Sequence, residues 1–251
     1  MQKVKIKVIT IGHLPITFNK RIIDKWNSKI FELSGDIENF VLSANSDGAH
    51  WEYSDSNLKS ELPKKFDGDI LFAIVNVPVE NNYYVRRLSN NTVILTFHEI
   101  KNILDYHNIP LENAVLRVLY AATIIYNRFN KKIPSTNDNS NYLHDETRGC
   151  LFDMTGKKEE IIYSCHKPIL CESCLSEIRK DKVSKETIDL AVEEIRRIKK
   201  KLFYRITDVI KNHPIWAIII SSLFAILLGV IGSLIASFIF EMLKKLYLSA
   251  P

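Results

Sequence analysis

Cysteine is scarce in this 251-residue sequence, and its four copies all fall between residues 150 and 174. Phosphate-loop and serine-hydrolase signatures are missing: no GxxxxGK[ST], GxGxxG or GxSxG occurs. The formal net charge is only +5, and no basic stripe interleaves with aromatics, so no nucleic-acid partner is expected. No long apolar run opens the chain. MQKVKIKVITIGHLPITF alternates as a strand does, which argues against a secretory signal. The N-terminal part is therefore expected in the cytosol, where disulfides are rare and clustered cysteines lean toward metal. Internal repeats and long low-complexity stretches are also absent.

One absence points to a membrane. From Ile215 to Phe240 the chain reads IWAIIISSLFAILLGVIGSLIASFIF without a charged residue. That run exceeds the roughly 20 residues a helix needs to span a bilayer. It has no polar face, so residues 214–240 read as a transmembrane helix with Trp216 near one interface. Upstream stand Arg196, Arg197, Lys199, Lys200, Lys201, Arg205 and Lys211; downstream stand only Lys244 and Lys245. The positive-inside rule then predicts a single-pass, tail-anchored protein with its N-terminal domain cytoplasmic and a short tail, 241–251, across the membrane. Ala217, Ser221, Ala225, Gly229, Ser233 and Ser237 recur at every fourth position. Such a small-residue stripe lets helix backbones approach closely and predicts a homo-oligomer.

Residues 183–213 carry a helical apolar pattern: Ile188, Ala191, Ile195, Ile198, Leu202, Ile206 and Val209, with Ser184 as an N-cap. The spacing predicts an amphipathic stalk helix running into the span; packing of its stripe on the globular domain is the alternative. Its RRIKKK segment suits anionic membrane lipid.

The region 1–140 reads as an α/β cytosolic domain, a mixed sheet with helices. Strands are expected at 3–10, at 39–44, within DGDILFAIVNVPV and at 91–97. Helices are expected at 18–33, around 99–106, and at 111–128 behind Pro110. KKIPSTNDNSN, 131–141, reads as a loop.

Residues 141–182 form the cysteine region. Cys171 and Cys174 make a CxxC whose thiolates can converge on one ion, and His144 and Cys150 can complete a tetrahedral set from upstream. Zn2+ fits such mixed ligation, and four protein ligands would make the site structural. Cys165 and His166 are further candidates. Asp145 and Glu146 stand beside His144 and could orient its ring by hydrogen bonding, or be plain loop acids. A redox CxxC, buried free thiols and a disulfide are competing readings.

The order Cys150, Met154, then Cys171 and Cys174 resembles the archaemetzincin-type metallopeptidases, whose four-cysteine zinc site passes a methionine and closes on a CxxC. The resemblance covers residues 1–180 and implies a metzincin-type scaffold with a structural zinc. It also implies a catalytic HExxHxxGxxH just upstream, and there the sequence departs: LENAVLRVLYAATIIYNRF has no histidine. His98-Glu99 starts HEIKN, which puts Asn102 where the second histidine belongs. HExxH chemistry needs two imidazoles one turn apart with a glutamate base between them. The resemblance therefore implies a scaffold that has lost its catalytic metal.

Two other polar groups stand out. His98 and Glu99 with Asp105 and His107 could form an acid–base group, or simply an exposed helix face. Asn76, Asn81, Arg86 and Arg87 follow a buried strand, where loops of α/β folds bind ligands. The expectation is a membrane protein whose zinc domain senses a ligand or protein partner and passes that state to its span. A membrane-active effector of a microbial defence system would have this layout. The alternatives are a tethered zinc peptidase or hydrolase and an anchored adaptor.

Overall fold

The computed structural model describes residues 2–136, 138, 142–144, 147–154 and 157–248, the last four by backbone alone. It divides into two compact units, 1–200 and 201–251.

In the first unit β1 (Val4–Ile11) is followed by α1 (Lys20–Asp24), β2 (Phe31–Leu33), β3 (Glu38–Phe40), α2 (Asp55–Ser60), β4 (Ile70–Val75), β5 (Val85–Leu88) and β6 (Thr92–Thr96). Then come α3 (Ile100–Tyr106), α4 (Leu111–Arg128), α5 (Ile161–Ser164), α6 (Glu172–Lys180) and α7 (Lys185–Ile195). The sheet order is β2-β1-β4-β6-β5, with β3 also paired to β1. All pairings are parallel except that of β5 with β6. This is the mixed α/β sheet with helices that the strand–helix alternation predicts.

Both faces of the sheet are covered, and the central β4, ILFAIV, is apolar and buried throughout. Along β4 the pleat sends Phe72 and Ile74 into the main core and Leu71, Ala73 and Val75 into a smaller one with Leu58 of α2. The main core is built on α4, in which all but one side chain is buried, including Glu112, Asn113, Arg117 and Arg128. A helix enclosed this way has no solvent face on which polar residues could idle.

Two helix expectations are corrected. Residues 18–33 hold only the short α1, and Phe31 enters β2 opposite Val4. The cause is distant: buried Glu194 accepts hydrogen bonds from Ser28 Oγ at 2.6 Å and Lys29 N at 2.7 Å, fixing the chain as it leaves the helix. Residues 183–213 are likewise two helices. The apolar face of α7, Ile188, Ala191 and Ile195, is buried in the main core. The chain then leaves the helix, because Lys167 N donates to Ile198 O at 2.7 Å and Lys200 N to His166 Nδ1 at 3.1 Å. So α7 is part of the body, and residues 141–200 fold within the same unit as the sheet.

In the second unit α8 (Leu202–Asn212) precedes α9 (Pro214–Leu248). The break falls at His213, whose φ of −135° is not helical, and Pro214 has no N–H to continue the ladder. The segment Pro214–Lys244 is long and apolar enough to cross a membrane, and none of its most apolar stretch is buried. On α8, Leu202, Phe203, Ile206, Val209 and Ile210 are all exposed.

Candidate metal centre

The site is assembled by three backbone segments. The first is pinned on itself: His144 N donates to Phe152 O at 3.1 Å and Met154 N to His144 O at 2.9 Å. The second crosses it, with Leu151 N donating to Ile169 O and Ile169 N to Gly149 O, both at 2.9 Å. Gly149 has a φ of +89°, and a Cβ there would meet Tyr163 O at 3.4 Å, so only glycine suits this turn. The third is the start of α6: Cys171 is its N-cap, with Sγ accepting from Cys174 N at 3.5 Å.

These segments bring the ligand atoms of His144, Cys150, Cys171 and Cys174 within 4.8 Å of one another. His144 Nε2 lies 3.3 Å from Cys150 Sγ and 3.4 Å from Cys171 Sγ; Cys150 and Cys174 sulfurs are 3.7 Å apart. That separation far exceeds the ~2.05 Å of a disulfide, and all four thiols are free. Cys150 and Cys174 are buried, the other two half-buried.

The Cys150 and Cys174 thiols act on one another. The hydrogen bond with Cys174 draws the Cys150 thiol down to about 5, while the same contact pushes Cys174 up. One thiolate forms readily there and a second is resisted. A divalent ion at the centre removes that conflict by compensating several thiolates together, and the N-terminus of α6 adds its partial positive charge. Three thiols and one imidazole are a donor set that suits Zn2+, and four donors close a tetrahedral shell. The chain thus carries a zinc-binding Cys3His group, and among the described residues it is the one grouping of three or more close metal-ligating side chains.

Cys165 and His166 fall outside this group. Burial pushes the Cys165 thiol up to about 12, and His166 is engaged by Lys200 N at 3.1 Å. Asp145 and Glu146 lie outside the described residues.

Residues that no spacing rule singles out tie the centre to α4. Asn113 Nδ2 donates to Cys165 O at 2.8 Å. One turn on, Arg117 Nε donates to Ser164 Oγ at 2.6 Å and its Nη2 to Leu151 O at 3.4 Å. Near the helix end Arg128 Nε meets Asp181 at 2.7 Å. The signal was there: these polar residues interrupt an otherwise apolar helix at helical spacing.

Among the remaining sequence candidates, Glu99 and Asp105 are held in ion pairs. Glu99 meets Lys158 Nζ at 2.7 Å and Asn82 Nδ2 at 3.1 Å; Lys158 holds its carboxyl below the usual range. Lys101 pairs with Asp105 at 2.7 Å. Arg86 and Arg87 lie on β5, an edge strand, and not in a loop.

No family model matches the sequence, and no curated protein matches it. Among solved structures that of Archaemetzincin (amzA) from Methanopyrus kandleri is similar, with a TM-score of 0.45 and 13% identity. The match covers 72% of this chain and 96% of that one.

Proposed function

We propose that this protein is held in a membrane by α9, its α/β unit on the cytosolic side. There the zinc-stabilised unit binds a ligand or protein partner and biases helix assembly in the bilayer. The observation that carries the reading is the apolar helix Pro214–Lys244, which finds no burial within the chain. Beside it, α8 turns Leu202, Phe203, Ile206, Val209 and Ile210 outward over an arc of about 120° at ~100° per residue. That arc is wider than a coiled-coil seam and suits the surface of a bilayer. Lys199, Lys200, Lys201, Arg205 and Lys211 supply cations for anionic headgroups. Zinc, in this reading, cross-links residues 144–174 to the body and contributes folding free energy. This is also the layout of a membrane-active effector. HExxH peptidase chemistry lacks its imidazoles on α4, which has no histidine.

The test replaces α9 with an unrelated single-pass helix and, separately, introduces Gly229→Leu with Ser233→Leu. Self-association of the span is read in a transmembrane reporter. The reading expects the native helix to associate and the double variant to lose association. An unrelated span that supports the same cellular phenotype would defeat it and leave an anchored adaptor.

A further inference from the structure

Successive arginines on β5 meet opposite fates. Strand alternation sends Arg86 to one face of the sheet, where Asp55 at 2.5 Å and Glu80 at 3.5 Å neutralise it. Arg87 points the other way, toward a cavity of about 430 Å³. There its Nη1 reaches only a carbonyl, Pro134 O at 2.8 Å, and its guanidinium stacks 4.8 Å from the Tyr142 ring centre. Arg117 lines the same cavity from α4, buried, with its guanidinium 5.5 Å from the Tyr84 ring centre. No carboxylate lines the cavity among the described residues.

The rest of the lining is apolar. Val118, Ala121 and Ala122 of α4 form one wall, and their small side chains leave the space open. Phe152 and Met154, from the segment that also carries His144 and Cys150, form the facing wall. The volume falls within the ~300–1,000 Å³ of small-molecule sites, and an apolar chamber with a few convergent polar groups is their usual form. Burial lowers the Arg87 pKa, and Tyr142 and Asp138 offset that only in part.

We infer that this cavity binds a small amphipathic carboxylate, its apolar body between Val118, Ala121 and Phe152 and its head group at Arg87 and Arg117. Arg87 is engaged by Pro134 O, and Arg117 by Ser164 Oγ and Leu151 O; together they leave room for one negative charge, and a planar fork matches a carboxylate. An uncharged ligand of the same shape would leave the half-buried Arg87 with its desolvation only partly offset, so the site selects against it. The inference supplies the ligand class for the function proposed above. It rests on that reading only for its biological use, because binding is measurable whether or not the span assembles.

The experiment uses the full chain in phosphatidylcholine nanodiscs with 4-[4-(trifluoromethyl)phenyl]butyrate, followed by fluorine NMR against empty nanodiscs. The expected result is saturable binding, at least tenfold weaker for the matching primary amide and for Arg87→Gln, and abolished by Ala121→Trp with zinc retained. If Ala121→Trp loses its zinc and its fold, the carboxylate–amide comparison on the unaltered chain still decides. Equal affinity for acid and amide, or binding no greater than to empty nanodiscs, overturns the proposal. A phosphonate of the same body binding tenfold tighter than the acid also overturns it, in favour of a phosphate-type ligand. Loss of span association with carboxylate binding intact would sink the assembly reading alone.

Discussion

The Tyr120 hydroxyl donates to Glu194 Oε2 at 2.7 Å, joining α4 to α7 across 74 residues of sequence. Trp26 Nε1 donates to the same hydroxyl at 2.9 Å, and Ser28 and Lys29 complete the carboxylate's partners. A buried carboxylate with this many donors is costly to remove, because each donor is left without an acceptor. Glu194→Ala is expected to destabilise the first unit by about 3 kcal/mol and Glu194→Gln by roughly 1–2 kcal/mol. Denaturant unfolding of the full chain in detergent, read by tryptophan fluorescence, measures both. Less than half a kcal/mol for the alanine variant would mean that α7 is not held through this carboxylate.

Zinc should be present at one ion per chain by elemental analysis. Replacing Cys150, Cys171 or Cys174 by Ser, or His144 by Ala, should weaken binding by more than the ~10–100-fold typical of an outer-shell change. Cys165→Ser should keep the ion, since its thiol lies outside the group. Zinc retained in all four ligand variants would remove the centre from the account of this fold.

Asn113→Ala leaves Cys165 O without its donor, so a loss of about 1–3 kcal/mol is expected. Zinc affinity should fall with it, by about tenfold, because the segment carrying the ligands loses an anchor to α4. Stability lost with unchanged zinc affinity would show that the anchor serves packing alone.

Alkali provides a separate check. Burial and Asp69 raise the Tyr126 hydroxyl to about 12, burial and Tyr84 raise Tyr142 to about 12, and burial pushes Tyr120 higher still. A folded-state value above the unfolded one means stability is full below the unfolded value, about 10. That stability is then lost as pH rises toward the folded values. The melting temperature should therefore hold below pH 10 and fall between pH 10 and 12. Tyr126→Phe should lessen the fall, and absorbance at the tyrosinate band should show late-titrating residues.

Much of this architecture was legible in the sequence for one reason: the signals were local. The alternation in β1, the apolar runs of β4 and β6, the long α4 behind Pro110 and the uncharged span each declare themselves within a short window. The CxxC with upstream His144 and Cys150 did so by ligand chemistry. What misled was decided at a distance. Ile30 and Phe31 keep a helical spacing with Ile22 and Trp26, yet a carboxylate from α7 and pairing with β1 take the chain out of the helix and Phe31 into a strand. Arg86 and Arg87 read as a polar loop because a buried arginine on a strand becomes sensible only once Asp55 faces it. The 183–213 pattern runs unbroken in sequence while its two halves have different surroundings, core for Ile188 and Ile195, open surface for Ile206 and Val209.

That last division has a mechanical consequence. Between Ile195 and Leu202 the chain is not helical, so α7 and α8 are not one continuous helix. The α/β unit holds most of that connection: Ile198 is buried, its carbonyl accepts from Lys167 N, and Lys200 N donates to His166 Nδ1. In the membrane reading proposed above, coupling between ligand and helix assembly would have to work without a continuous helix joining the two units.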